Sequence, residues 1–178
     1  INKLLLLLLS LSVMVRAILA MIVEFGNDEV YYWTYAMYPD WSHFDHPPMV
    51  GWLIQLFSCN LLFDSEFFLR LSSVVFMTIN TYLVFLIGKQ VKNEQTGFYA
   101  ALLYTASIYA FVITGIFILP DTPLSIFTLL AVLQFVKYFQ YEKNKHLLLA
   151  GLFTGLAMLS KYSGVFVWVG VGLYVIIY

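Results

Sequence analysis

The polar stretch from Glu24 to Met49 decides the fold, and it reads EFGNDEVYYWTYAMYPDWSHFDHPPM. It holds five of the ten carboxylates and two of the three histidines of the chain, but no lysine or arginine. Long apolar segments lie on both sides of it. A dense acidic and aromatic loop at the edge of a hydrophobic protein indicates a functional site.

The composition is typical of a membrane protein. The chain is 62% hydrophobic and only 11% charged, with a mean hydropathy of +0.86, whereas soluble domains carry about 25% charged residues. A net charge of −1 provides no basic surface for nucleic acid. The single Cys59 permits no internal disulfide. We therefore expect an all-α polytopic membrane protein without a nucleic-acid partner.

The first apolar run, residues 4–23, is predicted to span the membrane. As a helix it would be about 30 Å long, which matches the hydrocarbon core of a bilayer. It is also longer than the apolar core of a signal peptide, about 7–15 residues, so we expect it to be retained. Since the chain begins without Met and ends inside an apolar run, we interpret it as a fragment.

The remaining apolar runs predict five further spans, with a polar outer loop before them. The spans are expected over residues 67–88, 97–119, 123–140, 147–160 and 165–178. Lys161 and its polar neighbours separate the last two. The outer loop, residues 24–66, is predicted to carry two amphipathic juxtamembrane helices. One runs from Glu29 to about Met37, and the other, from Met49 to Phe63, is too short to span comfortably.

The distribution of charge predicts the orientation. When the sides alternate along the chain, one side receives six of the nine basic residues and the other receives eight of the ten acidic ones. The six basic residues are Lys3, Lys89, Lys92, Lys137, Lys143 and Lys145. The positive-inside rule makes that side cytoplasmic. The acidic loop, Asp121 and Lys161 are therefore expected to face outward.

An outward site with several carboxylates and few cations suggests transfer chemistry. Carboxylates serve as general bases or bind divalent metal ions. Cations at membrane depth are costly and usually have an anionic partner. The phosphate of a membrane lipid would be such a partner, and acid–base chemistry beside it would be a transfer reaction.

Five short motifs carry a family resemblance. They are Asn27 to Trp33 (NDEVYYW), Phe44 to Val50 (FDHPPMV), Asp64-Ser65-Glu66 with Arg70-Leu71, Leu119 to Leu124 (LPDTPL), and Ser160 to Gly164 (SKYSG). Together and in this order they resemble the dolichyl-phosphate-mannose protein mannosyltransferase superfamily, in particular its bacterial branch, which includes the lipid A aminoarabinose transferases. The resemblance covers nearly the whole chain, as the N-terminal part of a typical member.

The resemblance implies a GT-C-like transmembrane helix bundle with its active site at the outer face. Such enzymes take a sugar from a polyprenyl-phosphate carrier and invert the anomeric carbon. The Asp of the Asp-Glu pair is the proposed base in the family, so Asp28 is the candidate catalytic base. Glu29 beside it is expected to position groups or to join a metal shell. Plain N-capping of the following helix is the other interpretation of Asp28.

The proline-containing motif implies a second part of the site. A Glu-Lys-Pro-Pro motif in the aminoarabinose branch contributes a metal ligand and a contact to the lipid phosphate, and the corresponding residues here are Asp45 and His46. The resemblance thus makes a divalent metal ion the candidate cofactor and Asp45 its candidate ligand. His46 becomes a candidate substrate contact, although histidine in place of lysine departs from the family pattern.

Three further residues are candidate substrate contacts. Lys161 breaks an apolar run, so it could bind a lipid phosphate or extend to the interface. Asp121 caps a helix by default, and its outward position gives it a second role in the site. Arg70 lies in a first helical turn and could pair with a headgroup or with a carboxylate of the loop.

We therefore expect an inverting membrane glycosyltransferase in the bacterial inner (cytoplasmic) membrane, with its active site facing the periplasm or exterior. It would move a sugar from a polyprenyl-phosphate donor to a lipid, glycan or protein acceptor. A transporter or channel subunit is the alternative, because broken helices and intramembrane charges are typical of that class. A transporter places carboxylates near the midplane, whereas here almost all flank helix ends. A non-catalytic assembly subunit is a third interpretation.

Overall fold

The computed structural model describes residues 2–177, which form a bundle of helices. The helices are α1 Asn2–Ile22, α2 Asn27–Met37, α3 Met49–Phe57, α4 Glu66–Val91, α5 Glu94–Ala106, α6 Asp121–Tyr141, α7 Asn144–Ser160 and α8 Phe166–Ile177. No strand occurs within the described range. The predicted all-α class is confirmed.

Three of the described helices, α1, α4 and α6, are long and apolar enough to cross a membrane. A shorter apolar helical segment covers Tyr162–Ile177. The chain is therefore a multi-pass membrane protein, as its composition predicts. The end of α1 and the beginnings of α4 and α6 meet at one end of the bundle, beside the loop that carries α2 and α3. We call this the acidic end.

The helix predicted over residues 97–119 is not continuous. α5 ends at Ala106, Ser107 is extended with φ −73° and ψ 137°, and a π-helical turn follows over Tyr109–Ile113. The Ser107 hydroxyl donates to the Tyr104 carbonyl at 3.0 Å and accepts the Ala110 N–H at 3.1 Å. One side chain thus closes the first helix and caps the next turn. Hydropathy does not reveal this break, since both sides of it are apolar.

The two juxtamembrane helices of the loop are present, but the second is shorter than predicted. α3 ends at Phe57, because Cys59, Asn60 and Leu61 all have positive φ, at 52°, 59° and 62°. A left-handed conformation costs roughly 1–2 kcal/mol per residue outside glycine. The Ser58 hydroxyl supports the turn by accepting the Leu61 N–H at 2.9 Å. The predicted helix to Phe63 is therefore wrong over residues 58–63.

α4 is the central helix of the bundle, and it packs against α1, α5 and α6. Polar side chains join these helices inside the apolar interior. Thr81 lies 3.3 Å from Thr105 on α5, and Asn80 donates to Ser125 on α6 at 2.8 Å. Hydrogen bonds of this kind, together with small residues, hold helices together in a bilayer.

Arg16 lies fully buried within α1. Its guanidinium carbon is 4.9 Å from the centroid of the Phe111 ring, a cation–π geometry. None of its three side-chain nitrogens has a hydrogen-bond partner among the described residues. The contact joins the first helix to the π-helical turn that precedes α6.

Candidate functional site

A buried ion pair between Glu29 and Arg70 anchors the acidic end. Arg70 Nε lies 2.8 Å from Glu29 Oε1, and Nη2 lies 2.6 Å from Oε2. The two residues are 2% and 0% exposed. Paired hydrogen bonds of this kind between a guanidinium and a carboxylate are strong and directional. Arg70 also donates to the backbone carbonyls of Ala20, Val23 and Glu24.

The same carboxylate ties two further segments together. Glu29 Oε1 accepts the Ile118 N–H at 3.0 Å, and Oε2 accepts the Gly26 N–H at 3.1 Å. Both oxygens are thus occupied inside the protein. Glu29 and Arg70 consequently position the ends of α1, α2 and α4 and the segment before α6. The predicted loop-carboxylate partner of Arg70 is Glu29, and this burial leaves neither residue open to a ligand.

Asp28 has a different environment from its neighbour. The N-cap of α2 is Gly26, whose N–H is bound by Glu29, so the interpretation of Asp28 as the cap is wrong. Asp28 is exposed and makes no hydrogen bond within residues 2–177. It borders a cavity of ≈ 420 Å³ together with Glu24, Phe117 and Leu119. An open carboxylate at the positive end of a helix dipole is thus available to a ligand.

Asp45 is held by two tyrosines that lie one turn apart on α2. Its Oδ1 accepts a hydrogen bond from Tyr31 at 2.8 Å and another from Tyr35. The hydrogen bond from Tyr35, together with that from Tyr31, holds the pKa of Asp45 below its usual value, although partial burial opposes this. The same contact and the burial of its ring raise the pKa of Tyr35. The tyrosines therefore fix a charged carboxylate at the surface of the loop.

The donor set around Asp45 does not by itself fit a metal ion. His46 Nε2 lies 4.0 Å from Asp45 Oδ2, and Oδ1 is occupied by the tyrosine hydroxyls. No group of three or more His, Cys, Asp or Glu side chains in the described part of the chain could hold a metal. Magnesium and calcium bind about six to eight oxygen ligands. Metal binding at Asp45 stays a prediction.

Lys161 and Asp121 meet although 40 positions separate them. Lys161 Nζ lies 3.1 Å and 2.9 Å from the two carboxylate oxygens of Asp121, and the Tyr109 hydroxyl donates to Oδ1 at 2.9 Å. The Lys161 side chain is 32% exposed, so the ammonium remains accessible. α6 begins and α7 ends at this point, which brings the two charges together at the acidic end.

The carboxylates of the acidic end act on a common tyrosine. Burial raises the pKa of Tyr32 to about 12, and the charges of Asp45, Asp28 and Asp121 raise it further in that order. The His46 ring lies 5.6 Å from the Tyr32 ring. Asp121, which comes much later in the chain than the loop, therefore lies near enough to Tyr32 for its charge to act on the same ring.

Tyrosines are the functional residues that the sequence did not single out. Tyrosine and tryptophan residues beside a membrane, such as those from Tyr31 to Trp41, are typical of an interfacial belt, so the sequence alone does not mark them as site residues. The spacing of Tyr31 and Tyr35 places both on one face of a helix, which was a usable signal for a shared partner. Tyr109 offered no such signal, because it lies in the unpredicted π-helical turn.

An apolar groove of ≈ 650 Å³ runs beside α7. Trp41, Pro47 and Pro48 border it at the acidic end, where Tyr162 places it next to Lys161. Gly151 and Gly155 form its floor, and a Cβ added to either would have no atom within 4 Å. The groove therefore has room for a chain-like apolar group along the helix.

Comparisons with known proteins agree with this architecture. A family model described as dolichyl-phosphate-mannose-protein mannosyltransferase matches residues 45–178. Lipid A galacturonosyltransferase RgtD of Rhizobium johnstonii is 27% identical over 145 residues, which cover 81% of this chain and 30% of that protein. The chain thus spans less than a third of the length of this curated relative.

No solved structure matches the chain. The family match covers well over half of the chain, and the all-α membrane bundle agrees with the GT-C fold that the resemblance implies. The chain belongs to the dolichyl-phosphate-mannose-protein mannosyltransferase family.

Proposed function

We propose that the protein is a GT-C glycosyltransferase that transfers a sugar from a polyprenyl-phosphate donor to a lipid, glycan or protein acceptor. The observation that carries this proposal is the arrangement at the acidic end, where the start of α2 carries the open carboxylate of Asp28 and the end of α7 carries the partly exposed Lys161, whose ammonium pairs with Asp121. A base and a cation at a membrane surface suit transfer from a lipid phosphate. The family, and a relative whose name specifies lipid A as its substrate, support the same class.

In this mechanism Asp28 takes the proton from an acceptor hydroxyl. The acceptor oxygen then attacks the anomeric carbon of the donor sugar, and the bond from that carbon to the phosphate oxygen breaks. Attack from the face opposite the leaving group inverts the anomeric carbon. The leaving polyprenyl phosphate carries the released charge, and Lys161 stabilises it. Glu29 and Arg70 hold the start of α2, and with it Asp28, in place.

The donor lipid would lie along α7. Its phosphate would contact Lys161, with the His46 ring as a further contact, and its chain would occupy the groove over Gly151 and Gly155. The closeness of Tyr162 to both Lys161 and the groove supports this placement. Asp121 and Tyr109 keep the ammonium at the acidic end before the donor arrives. No step requires a metal ion, although one near Asp45 would be compatible with the family.

The site would face the periplasm or exterior of a bacterial inner membrane. The acidic residues Asp28, Asp45 and Asp121 lie at one end of the bundle, and the basic turn around Lys89 and Lys92 lies at the opposite end of α4. This asymmetry supports a cytoplasmic basic end through the positive-inside rule. Polyprenyl-linked donors and lipid acceptors would then reach the site from the outer leaflet.

Substitution Asp28→Asn in the full-length enzyme tests the proposal. General acid–base groups contribute about 10²–10⁴-fold to rate, so we expect transfer from a labelled polyprenyl-phosphate sugar to fall at least about 100-fold. The matched control is Asp64→Asn, which removes another exposed carboxylate of the same loop and should leave transfer unchanged. Undiminished transfer by the Asp28 variant would contradict the assignment of the base.

The transporter alternative has a distinct outcome in the same preparation. It requires carboxylates within spanning helices, whereas the buried carboxylate found here, Glu29, lies in the first turn of a loop helix and is neutralised by Arg70. Solute flux in liposomes, without transfer from any polyprenyl-phosphate donor, would favour a transporter over the proposed enzyme.

A further inference from the structure

The segment after α2 forms a small pocket that the proposed reaction does not use. The rings of Trp41 and Trp52 stand at 88° to each other, with centroids 5.4 Å apart. Pro39 and Asp40 complete a cavity of ≈ 290 Å³. Trp41 is 83% exposed, which is unusual for the largest aromatic side chain. The pocket thus presents two flat apolar surfaces at a right angle beside a carboxylate.

The polar groups of this pocket remain available. One oxygen of Asp40 accepts the Trp41 backbone N–H at 2.6 Å, and the other accepts no hydrogen bond from the described residues. The indole N–H groups of Trp41 and Trp52 likewise have no partner within residues 2–177. A carboxylate accepts up to about four hydrogen bonds, and each indole donates one. The pocket therefore offers both acceptors and donors beside its aromatic surfaces.

A sugar ring has the complementary chemistry. One face of a pyranose carries polarised C–H groups, which are attracted to the negative face of an aromatic ring, and its hydroxyls both donate and accept hydrogen bonds. The volume lies just below the range of about 300–1,000 Å³ for drug-sized ligands, which suits a single ring. We propose that Trp41, Trp52 and Asp40 form a binding site for one pyranose residue of a carbohydrate ligand.

The position of the pocket assigns this sugar to the acceptor, given the proposed transferase function. Asp28 lies in the first turn of α2, and the pocket begins two residues after its last turn. At 1.5 Å per residue, the helix alone separates them by about 14 Å. A sugar in the pocket is thus too far from Asp28 to be the sugar that is transferred. It would be a non-reacting ring of a glycan or glycolipid acceptor.

Membrane anchoring is the competing role for exposed aromatic residues in this loop. Phe44, which is fully exposed and lies outside the pocket, separates the two roles. An anchoring loop would depend on Phe44 as much as on the tryptophans, whereas the sugar site depends on the tryptophans and not on Phe44. Because Trp41 also borders the groove beside α7, Trp52 is the better position to vary.

The test uses the full-length enzyme in nanodiscs. Binding of methyl β-D-glucopyranoside and methyl β-D-galactopyranoside is measured by saturation-transfer NMR, and kinetics are measured with a polyprenyl-phosphate sugar and lipid A as acceptor. Trp52→Ala should weaken glycoside binding about three- to tenfold, the range of one aromatic contact. It should raise the KM for lipid A by a similar factor without changing kcat or the KM for the donor.

The conservative variant Trp52→Phe should restore binding, and Phe44→Ala should behave like the wild type. The unchanged kcat of Trp52→Ala excludes misfolding as the cause. Unchanged glycoside binding by Trp52→Ala would overturn the sugar site. Equal loss of transfer activity in the Trp52→Ala and Phe44→Ala variants, with glycoside binding unchanged, would assign the loop to membrane anchoring instead. A raised donor KM with an unchanged acceptor KM would contradict the assignment to the acceptor.

The same experiments distinguish a failure of the sugar site from a failure of the proposed transferase function. A wild-type enzyme that transfers sugar but binds no glycoside refutes the pocket alone. A protein that binds glycosides through Trp52, yet transfers sugar from no donor, supports the pocket and refutes the transferase function.

Discussion

Asp28 and Glu29 are neighbours in the sequence but lie in opposite environments. Successive helical residues point about 100° apart, so one of the two is expected to face away from the core. The sequence indicated that this pair belongs to the site. It did not show which carboxylate is buried, because that depends on Arg70, which lies 41 positions further along the chain. The pairing of distant residues is set by tertiary packing.

We expect Glu29→Gln to destabilise the protein strongly. The substitution removes the buried counter-charge of Arg70 and leaves only the partly exposed Glu66 carboxylate, 3.7 Å from Nη1, and breaking a buried pair typically costs roughly 3–5 kcal/mol. Unfolding by SDS titration from mixed micelles measures the effect. The control is Glu94→Gln, which breaks the exposed pair with Lys89 and should change stability little. Equal effects of the two variants would contradict the anchoring role of Glu29.

We expect Tyr35→Phe to raise the pKa of Asp45, because it removes the hydrogen bond that chiefly lowers that pKa. A carboxylate whose pKa is lowered by folding stabilises the fold at pH values above its pKa in the unfolded chain, about 3.9. This stabilisation is lost as the pH falls through the pKa of the folded protein. The variant should therefore be less stable than the wild type at neutral pH, with the difference fading in acid.

Carboxyl ¹³C NMR of aspartate-labelled protein measures this shift, with the resonance assigned by its loss in Asp45→Asn. Tyr38→Phe is the matched control, since Tyr38 is 73% exposed and does not contact Asp45. An unchanged titration of Asp45 in Tyr35→Phe would show that the hydrogen bond from Tyr31 alone lowers the pKa of this carboxylate.

At the scale of elements, the long apolar helices were predictable and the breaks between them were not. α1, α4 and α6 follow apolar runs bounded by polar or proline residues, which are strong signals. The break at Ser107 and the left-handed turn at Cys59 to Leu61 depend on local hydrogen bonds of single hydroxyl groups. Such bonds leave no periodic pattern, yet the first of them creates the turn that carries Tyr109 to Asp121.

The open glycines of α7 give an element-scale prediction. A Cβ added at Gly155 meets no atom within 4 Å, so Gly155→Leu has room to extend into the groove, and leucine favours a helix by up to about 1 kcal/mol over glycine. We expect normal folding but a KM for the polyprenyl donor raised at least about tenfold, measured with donors of full length.

The control for that variant is Gly172→Leu on α8, where an added Cβ also meets no atom within 4 Å and which lies outside the groove. A soluble, short-chain donor analogue should lose little affinity in Gly155→Leu. Equal losses of affinity for long-chain and short-chain donors would show that the lipid chain of the donor does not occupy the groove beside α7.

At the scale of the whole molecule, charge asymmetry was the most useful sequence signal. It predicted that Asp121 and Lys161 belong to the same side as the acidic loop, and the structure pairs them directly. Assigning charged residues to one side of the membrane needs only the order of the spanning segments. The assignment therefore stays correct even when the predicted helix ends are wrong by several residues. Distances within the site required the fold, because they depend on how α4 packs against α1 and α6.

The exposed native Cys59 tests the orientation of the loop without an introduced cysteine. It lies in the acidic loop, so we expect a membrane-impermeant maleimide to label it from outside intact spheroplasts. In a Cys59→Ser background, a cysteine introduced as Asn93→Cys, in the turn between α4 and α5, should react only after permeabilisation. Labelling of the two positions in the reverse order would place the proposed active site in the cytoplasm.

Arg16 has a consequence for how the chain is made. Its aromatic partner Phe111 is synthesised 95 residues later (111 − 16), which at about 5–20 residues per second is a delay of about 5–20 s. During that time α1 must enter the bilayer with an unaccompanied cation, at about 2.5–3.5 kcal/mol. The six leucines Leu4 to Leu9 contribute about −0.3 to −0.6 kcal/mol each, a total of the same order. The insertion free energy of the leucine run thus offsets the cost of placing Arg16 in the membrane before the bundle exists to receive it.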